Sequence, residues 1–175
     1  MKPLALSLVM AGAVALTGCS TLVFLNPFVE DEQAVMEPAL LGTWASQDGN
    51  DTYWISQNGT AYNIRVAGES DVYQFKARLM VSGDIKLLDM VAAIEDPWQL
   101  AVHTAVRVWT EGSTLRLAFL QSDWLKHEAG RLLPAVPAND RTLVVAPGEP
   151  VRAFLTKSGA DPKAFDEADV LRRLQ

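Results

Sequence analysis

The chain of 175 residues carries 15 Lys and Arg against 21 Asp and Glu, for a formal net charge of -6, and 49% of its residues are hydrophobic. This size suits one domain, and the composition excludes a wholly disordered chain. The acidic balance argues against nucleic-acid binding, which needs surplus Lys and Arg to neutralise phosphates. The single cysteine excludes an internal disulfide and a cysteine-rich metal site.

Residues 1–18 are predicted to be an export signal, because Lys2 precedes an apolar run from Leu4 to Leu16 that is too short to cross a membrane. The run ends in Leu16-Thr17-Gly18-Cys19, which resembles the lipobox of bacterial lipoproteins. The resemblance implies cleavage after Gly18, a diacylglyceryl group on Cys19 Sγ and an acylated α-amine. Ser20, in place of Asp, implies by similarity to enterobacterial sorting rules the outer membrane, with the protein facing the periplasm.

Residues 19–38 are predicted to be a lipidated tether. The segment 21–25 is apolar and is expected to lie against the membrane or the domain, and Asn26-Pro27 interrupts it. The acidic residues of 30–32 favour a solvated linker. The remaining residues, 39–175, are predicted to form a single domain.

Period-2 alternation of apolar residues dominates this domain and predicts antiparallel strands with one apolar face. Asn58-Gly59 is a strong hairpin signal, because both residues tolerate positive φ, and glycines at 68, 83 and 112 mark further turns. The predicted strands lie near 41–46, 51–57, 60–66, 72–81, 84–91, 101–110, 113–121 and 141–146. Eight sequential strands favour a mainly β fold, a meander curled into a small barrel or half-barrel. Short helices are predicted at 124–129 and 150–158, and a turn at Asp161-Pro162.

Gly42-Thr43-Trp44 opens the first predicted strand of the domain and resembles the Gly-x-Trp signature of lipocalins. The resemblance implies that Trp44 plugs one end of the barrel beneath an Arg from a late strand, for which Arg141 is the predicted counterpart. The second and third lipocalin signatures are absent from the sequence. The alternative is that Trp44 is an ordinary core aromatic.

Residues 40–170 are also similar to a family of uncharacterised bacterial secreted proteins and lipoproteins. The similarity rests on Gly42-Thr43-Trp44, Leu87-Leu88-Asp89, Val102-His103, Asp123-Trp124-Leu125, Ala153-Phe154-Leu155 and the segment 161–165. It implies no activity and carries no functional residues.

The polar residues offer little for catalysis. His103 and His127 are the only histidines, and their spacing is not that of a metal site. His103 is expected to be hydrogen-bonded or at a rim, and His127 to be exposed.

Asp89 lies in an apolar run and must be paired, with Arg107, Arg116 or Lys86 as predicted partners; a catalytic acid is the minority interpretation. The chain has no Gly-x-Ser-x-Gly and no phosphate-binding glycine loop, so neither an enzyme nor a cofactor is predicted.

Three functions therefore remain, all for a membrane-anchored protein. The first is a lipocalin-like carrier of an apolar small molecule, with a hollow interior lined by Tyr62, Phe75, Leu79, Val106 and Phe119. The second is an envelope protein with a filled core that binds another protein, with Trp54, Trp98 and Trp109 as surface candidates. The third is an inhibitor of an envelope enzyme. An interior void well above about 300 Å³ favours the carrier.

Overall fold

The computed structural model describes residues 21–93, 99–121, 124, 128, 132–138 and 141–174. Their main feature is a barrel, as predicted. Its strands are β2 (Gly42–Ser46), β3 (Thr52–Asn58), β4 (Ala61–Ala67), β5 (Val72–Ser82), β6 (Ile85–Ala92), β7 (His103–Glu111), β8 (Thr114–Phe119) and β11 (Asp169–Arg173). Each strand from β2 to β8 pairs antiparallel with the next, and β11 pairs with both β8 and β2. Eight antiparallel strands thus close on themselves, which leaves the barrel without a free edge.

The hairpins form where the turn residues predict them. Gly59, Gly83 and Gly112 adopt positive φ values of 63°, 58° and 60° at the three tight turns on one end of the barrel. The Asn58-Gly59 turn aligns Ile55 with Ile64 and thereby places both on the inner face. Seven of the predicted strands match β2 to β8 within two residues at every boundary.

The eighth predicted strand, 141–146, forms a strand, but it is not the closing strand of the barrel. The strand β10 (Arg141–Val144) lies outside the barrel, paired in parallel with β1 (Thr21–Phe24) and antiparallel with β9 (Ala135–Ala138). The closing strand β11 has one fully buried side chain, Leu171, between more exposed neighbours. Five residues with one buried apolar position show too little alternation to predict a strand.

A second layer covers the outer face of β5 to β8. The helix α1 (Gly148–Ser158) packs Val151, Phe154 and Leu155 against it, in agreement with the predicted helix at 150–158. A Cβ at Gly148 would overlap the Pro27 carbonyl oxygen, so the helix can start there only because the residue is glycine. The turn predicted at Asp161 is a 3₁₀ helix, Pro162–Ala164, capped by the Asp161 carboxylate. Of the helix predicted at 124–129, only Trp124 and Glu128 are among the described residues.

The predicted tether is instead part of this layer from residue 21 onward. Phe24, Phe28 and Val29 are fully buried in the outer core, and Asn26 Nδ2 donates to the Ala146 carbonyl at 2.9 Å. The acidic residues of 30–32 are exposed, as predicted, but they sit in a segment held at both sides by the fold. Residues 22–29 therefore pack as part of the fold, because their apolar side chains cover the outer face of the barrel.

Candidate functional site

The barrel interior contains an apolar cavity of about 400 Å³. Twenty described residues line it, and apart from the tyrosines only Thr104 and Arg141 among them have polar or charged side chains. Arg141 is the only charged side chain among these described lining residues. The cavity follows from the strand alternation, since every second residue of β3 to β8 points inward. Its volume lies within the range of small-molecule binding sites in proteins.

Four of the five predicted lining residues do line this cavity. Tyr62 and Val106 are buried on its walls, and Phe75 is half-buried. Leu79 is fully buried in the same core cluster but is not a lining residue. Phe119 lines the cavity as predicted, but it is 40% exposed and therefore lies at the entrance and not in the buried interior. Phe119 is the last residue of β8, where inward-facing side chains reach the entrance.

One end of the barrel, the closed end, is plugged by Trp44. Its side chain is fully buried, and its indole Nε1 donates to the Leu40 carbonyl at 3.0 Å. The guanidinium of Arg173 lies over the indole ring, with Cζ 4.1 Å from the ring centroid. Arg173 also donates to the carbonyls of Ala39 and Leu41, each at 2.7 Å. An arginine from a late strand does stack on Trp44, as predicted. That arginine is Arg173 in β11 and not Arg141.

The chain segment 35–41 crosses this closed end and is held by polar contacts. The Val35 amide donates to the Leu79 carbonyl at 2.9 Å, and the Glu37 amide donates to the Tyr62 hydroxyl oxygen at 2.7 Å. The Lys86 ammonium lies 2.7 Å from the Glu37 carboxylate. Burial raises the pKa of Tyr62, while the hydrogen bond from the Glu37 backbone opposes this rise. These contacts seal the cavity floor against solvent.

The opposite end of the barrel, the open end, exposes large apolar side chains around the entrance. We call Val72, Tyr73, Leu100 and Phe119 the apolar rim; their exposed fractions are 53%, 55%, 57% and 40%. Tyr73 and Phe119 line the cavity as well, and Arg141 joins them there. Exposed apolar clusters of this kind mark contact surfaces for ligands, proteins or membranes.

The remaining side of the open end is acidic. Tyr53 lines the cavity there, and its pKa is raised to about 12, mainly by burial and also by the charges of Asp51, Asp169 and Asp48. The pKa of Asp169 is raised as well, by burial and by the neighbouring carboxylates of Asp51, Asp166 and Asp48. The entrance therefore has exposed apolar residues at β5 and β8 and carboxylates at β2, β3 and β11. Two further exposed carboxylates, Glu69 and Asp71, lie in the turn before β5.

Asp89 is buried on the outer face of β6 and does not contact the cavity. Its carboxylate lies 2.6 Å from His103 Nδ1 and accepts hydrogen bonds from the Phe28 and Val29 amides at 2.8 and 3.0 Å. The predicted arginine and lysine partners are wrong, because the N-terminal segment supplies the compensating donors. The expectation of a hydrogen-bonded His103 is confirmed. This arrangement fastens residues 28–29 to the barrel wall.

Two further predicted residues, Trp54 and Trp109, lie apart from the cavity. Trp54 is 40% exposed on the outer wall beneath the Arg65 guanidinium, at 5.4 Å. Trp109 packs half-buried against the outer core, with Arg107 at 5.4 Å. Cys19, Trp98 and His127 lie outside the described residues.

Sequence reasoning missed Val23, Arg173 and the rim residue Leu100. Val23 lies in a four-residue strand of apolar and hydroxyl residues that begins three positions after the predicted export signal, so local sequence does not separate it from that signal. Among the described residues, no cluster of His, Cys, Asp or Glu has the composition of a metal site. No helix of the described chain is long and apolar enough to span a bilayer.

Comparisons of this chain with protein-family models, curated proteins and solved structures find no match.

Proposed function

We propose that this protein is a lipid-anchored envelope protein that binds a small apolar ligand inside the barrel. The observation that supports this most is the apolar cavity of about 400 Å³, sealed at the Trp44 end and open at the apolar rim. Burial of apolar ligand surface against these walls provides the driving force for binding. The proposed activity is binding without chemical conversion of the ligand, in a lipocalin-like manner. The anchor is the proposed acylated Cys19.

A second candidate is binding of another envelope protein through the outer wall. It is favoured by a shallow groove beside Trp54, whose floor includes Ser56, Asn63 and Gln74. An exposed Trp under an Arg is typical of residues that dominate protein interfaces. The filled core that accompanied this hypothesis is not found, because the interior is hollow.

Native mass spectrometry of the protein purified from its own membrane separates the two candidates. We expect a small apolar molecule that co-purifies with the protein and is released when the chain is unfolded. A ligand-free chain in stoichiometric complex with another protein would contradict the carrier and favour the groove at Trp54.

A further inference from the structure

The cavity entrance lies close to the point where the chain leaves the described fold. The strand β1 begins at Thr21, whose backbone pairs with Arg141, and both Arg141 and Val23 line the cavity. Phe24, at the other end of β1, pairs with His103, the first residue of β7 at the open end. The N-terminus of the described chain is therefore at the entrance and not at the closed end.

The proposed acylated residue, Cys19, stands two positions before Thr21 in the sequence. Two extended residues reach at most about 7 Å. Acyl chains on Cys19 insert into the hydrocarbon of the bilayer, so the same short distance brings Thr21 to the membrane surface. No tether of useful length separates anchor and barrel, because residues 22–24 and 28–29 are buried in the fold.

The surface on this side of the molecule suits a bilayer. The apolar rim exposes Val72, Tyr73, Leu100 and Phe119 at the end of the barrel where the described chain begins. The carboxylates of Asp48, Asp51, Asp166 and Asp169 lie on the other side of the entrance, where like-charge repulsion keeps them away from anionic headgroups. Tilting toward β5 to β8 puts the apolar rim in contact with lipid and leaves the carboxylates at β2, β3 and β11 in water. Glu69 and Asp71, in the turn before Val72, then lie at the membrane surface.

From this arrangement we infer that the open end of the barrel docks on the membrane that holds Cys19, so that the cavity exchanges acyl-chain ligands directly with that bilayer. The inference rests on the proposed function, since it requires both the anchor on Cys19 and a cavity that binds apolar molecules. A ligand that passes between bilayer and cavity across the apolar rim avoids transfer through water, which costs free energy in proportion to its apolar area.

Two valines on one strand test the docking. Val72 is at the open end of β5 and Val81 near its closed end, with exposed fractions of 53% and 41%. The mature chain has no cysteine other than the proposed acylated one, so Val72→Cys and Val81→Cys each introduce one free thiol for a nitroxide label. The full lipidated protein is reconstituted into vesicles of phosphatidylethanolamine and phosphatidylglycerol, and relaxation of the label is measured with oxygen and with a water-soluble nickel complex.

We expect the label at 72 to be relaxed mainly by oxygen, which concentrates in lipid, and the label at 81 mainly by nickel. A second pair, Leu100→Cys at the open end and Leu174→Cys at the closed end, should repeat this contrast, so that one disturbed strand does not decide the result. Nickel-accessible labels at 72 and 100 on membrane-bound protein would overturn the inference.

Two controls separate this failure from failure of the proposed function. Release of the protein from the vesicles by salt or alkaline wash would show that Cys19 carries no anchor, and would overturn the docking with it. A vesicle-bound protein that binds an apolar probe, yet shows water-exposed labels at 72 and 100, would overturn the docking alone.

Discussion

Arg173 lies over Trp44 with its guanidinium carbon 4.1 Å from the centroid of the indole ring, and this contact joins the first and last strands of the barrel. The same guanidinium holds the chain that crosses the closed end, through the carbonyls of Ala39 and Leu41. One side chain therefore both closes the barrel and secures its floor.

Replacement of this arginine should destabilise the protein measurably. Arg173→Ala removes two hydrogen bonds from a charged donor and one cation–π contact, so we expect the free energy of unfolding to fall by about 1–3 kcal/mol. Arg173→Lys should restore only part of the loss, because an ammonium cannot reproduce the planar, two-pronged contact. Urea unfolding measures both changes. Arg172→Ala, at the exposed neighbouring position, should change stability by less than about 0.5 kcal/mol, and an equal loss there would contradict this role for Arg173.

The Asp89 carboxylate should be needed to hold the N-terminal segment in place. Asp89→Ala leaves His103 Nδ1 and the buried amides of Phe28 and Val29 without their acceptor, so we expect a loss of about 3 kcal/mol or more. Hydrogen exchange read at those two amides should become fast in the variant. Asp84→Ala, in an exposed turn, is the control, and unchanged protection of the Phe28 and Val29 amides in Asp89→Ala would show that other contacts hold the segment.

The position of Phe119 at the entrance predicts a smaller stability loss than a core phenylalanine would give. Phe119→Ala should cost about 1 kcal/mol, because its side chain is 40% exposed. Leu115→Ala, on the same face of the same strand but fully buried, should cost about 2–5 kcal/mol. Equal midpoints of urea unfolding for the two variants would place Phe119 in the core after all.

Stability should fall as the pH rises from about 10 to about 12 because of Tyr53. The pKa of its hydroxyl is raised to about 12 in the folded protein, from an ordinary value of 10.0 in the unfolded chain. Between these values the folded state keeps a proton that the unfolded state has lost, so the free energy of unfolding decreases with pH and the full contribution is present only below pH 10. Absorbance of tyrosinate should show one late-titrating group fewer in Tyr53→Phe, where Tyr62 remains as a tyrosine whose pKa is raised by burial. If the alkaline decline in stability is equally steep in that variant, Tyr53 is not its source.

Much of the barrel could be predicted because its strands alternate over many residues between clear turns. Alternation in 60–66 and 72–81, joined by a polar turn, specifies β4 and β5 and their inward faces almost completely. The closing strand β11 offers no such pattern, since Leu171 is its one fully buried residue. The prediction that 141–146 closes the barrel therefore also made Arg141 the predicted partner of Trp44, in place of Arg173.

The outer layer was missed for a different physical reason. Thr21 to Phe24 follows the predicted export signal and shares its apolar character, so local sequence does not distinguish an anchor from a strand. The partners of Asp89 were equally hidden, because two of its donors are backbone amides some sixty residues away in the sequence. Every residue except proline has a backbone amide, so the sequence gives no sign of which amides bind a carboxylate. The cationic side chains of the predicted partners are visible in the sequence, and this favoured them.

The most direct test of the carrier is an equilibrium titration with an apolar fluorescent probe. A chain that starts at Ser20 is suitable, because every described element lies within residues 21–174. Val66→Trp adds bulk to a cavity wall, whereas Gln74→Trp adds the same side chain to the outer face near the same end, where it lines the groove beside Trp54 and not the cavity. We expect micromolar binding, about −8 kcal/mol, for the unsubstituted chain and for Gln74→Trp, and its loss in a folded Val66→Trp. A folded, unsubstituted chain that binds no apolar probe, or equal binding by both tryptophan variants, would contradict a ligand site inside the barrel.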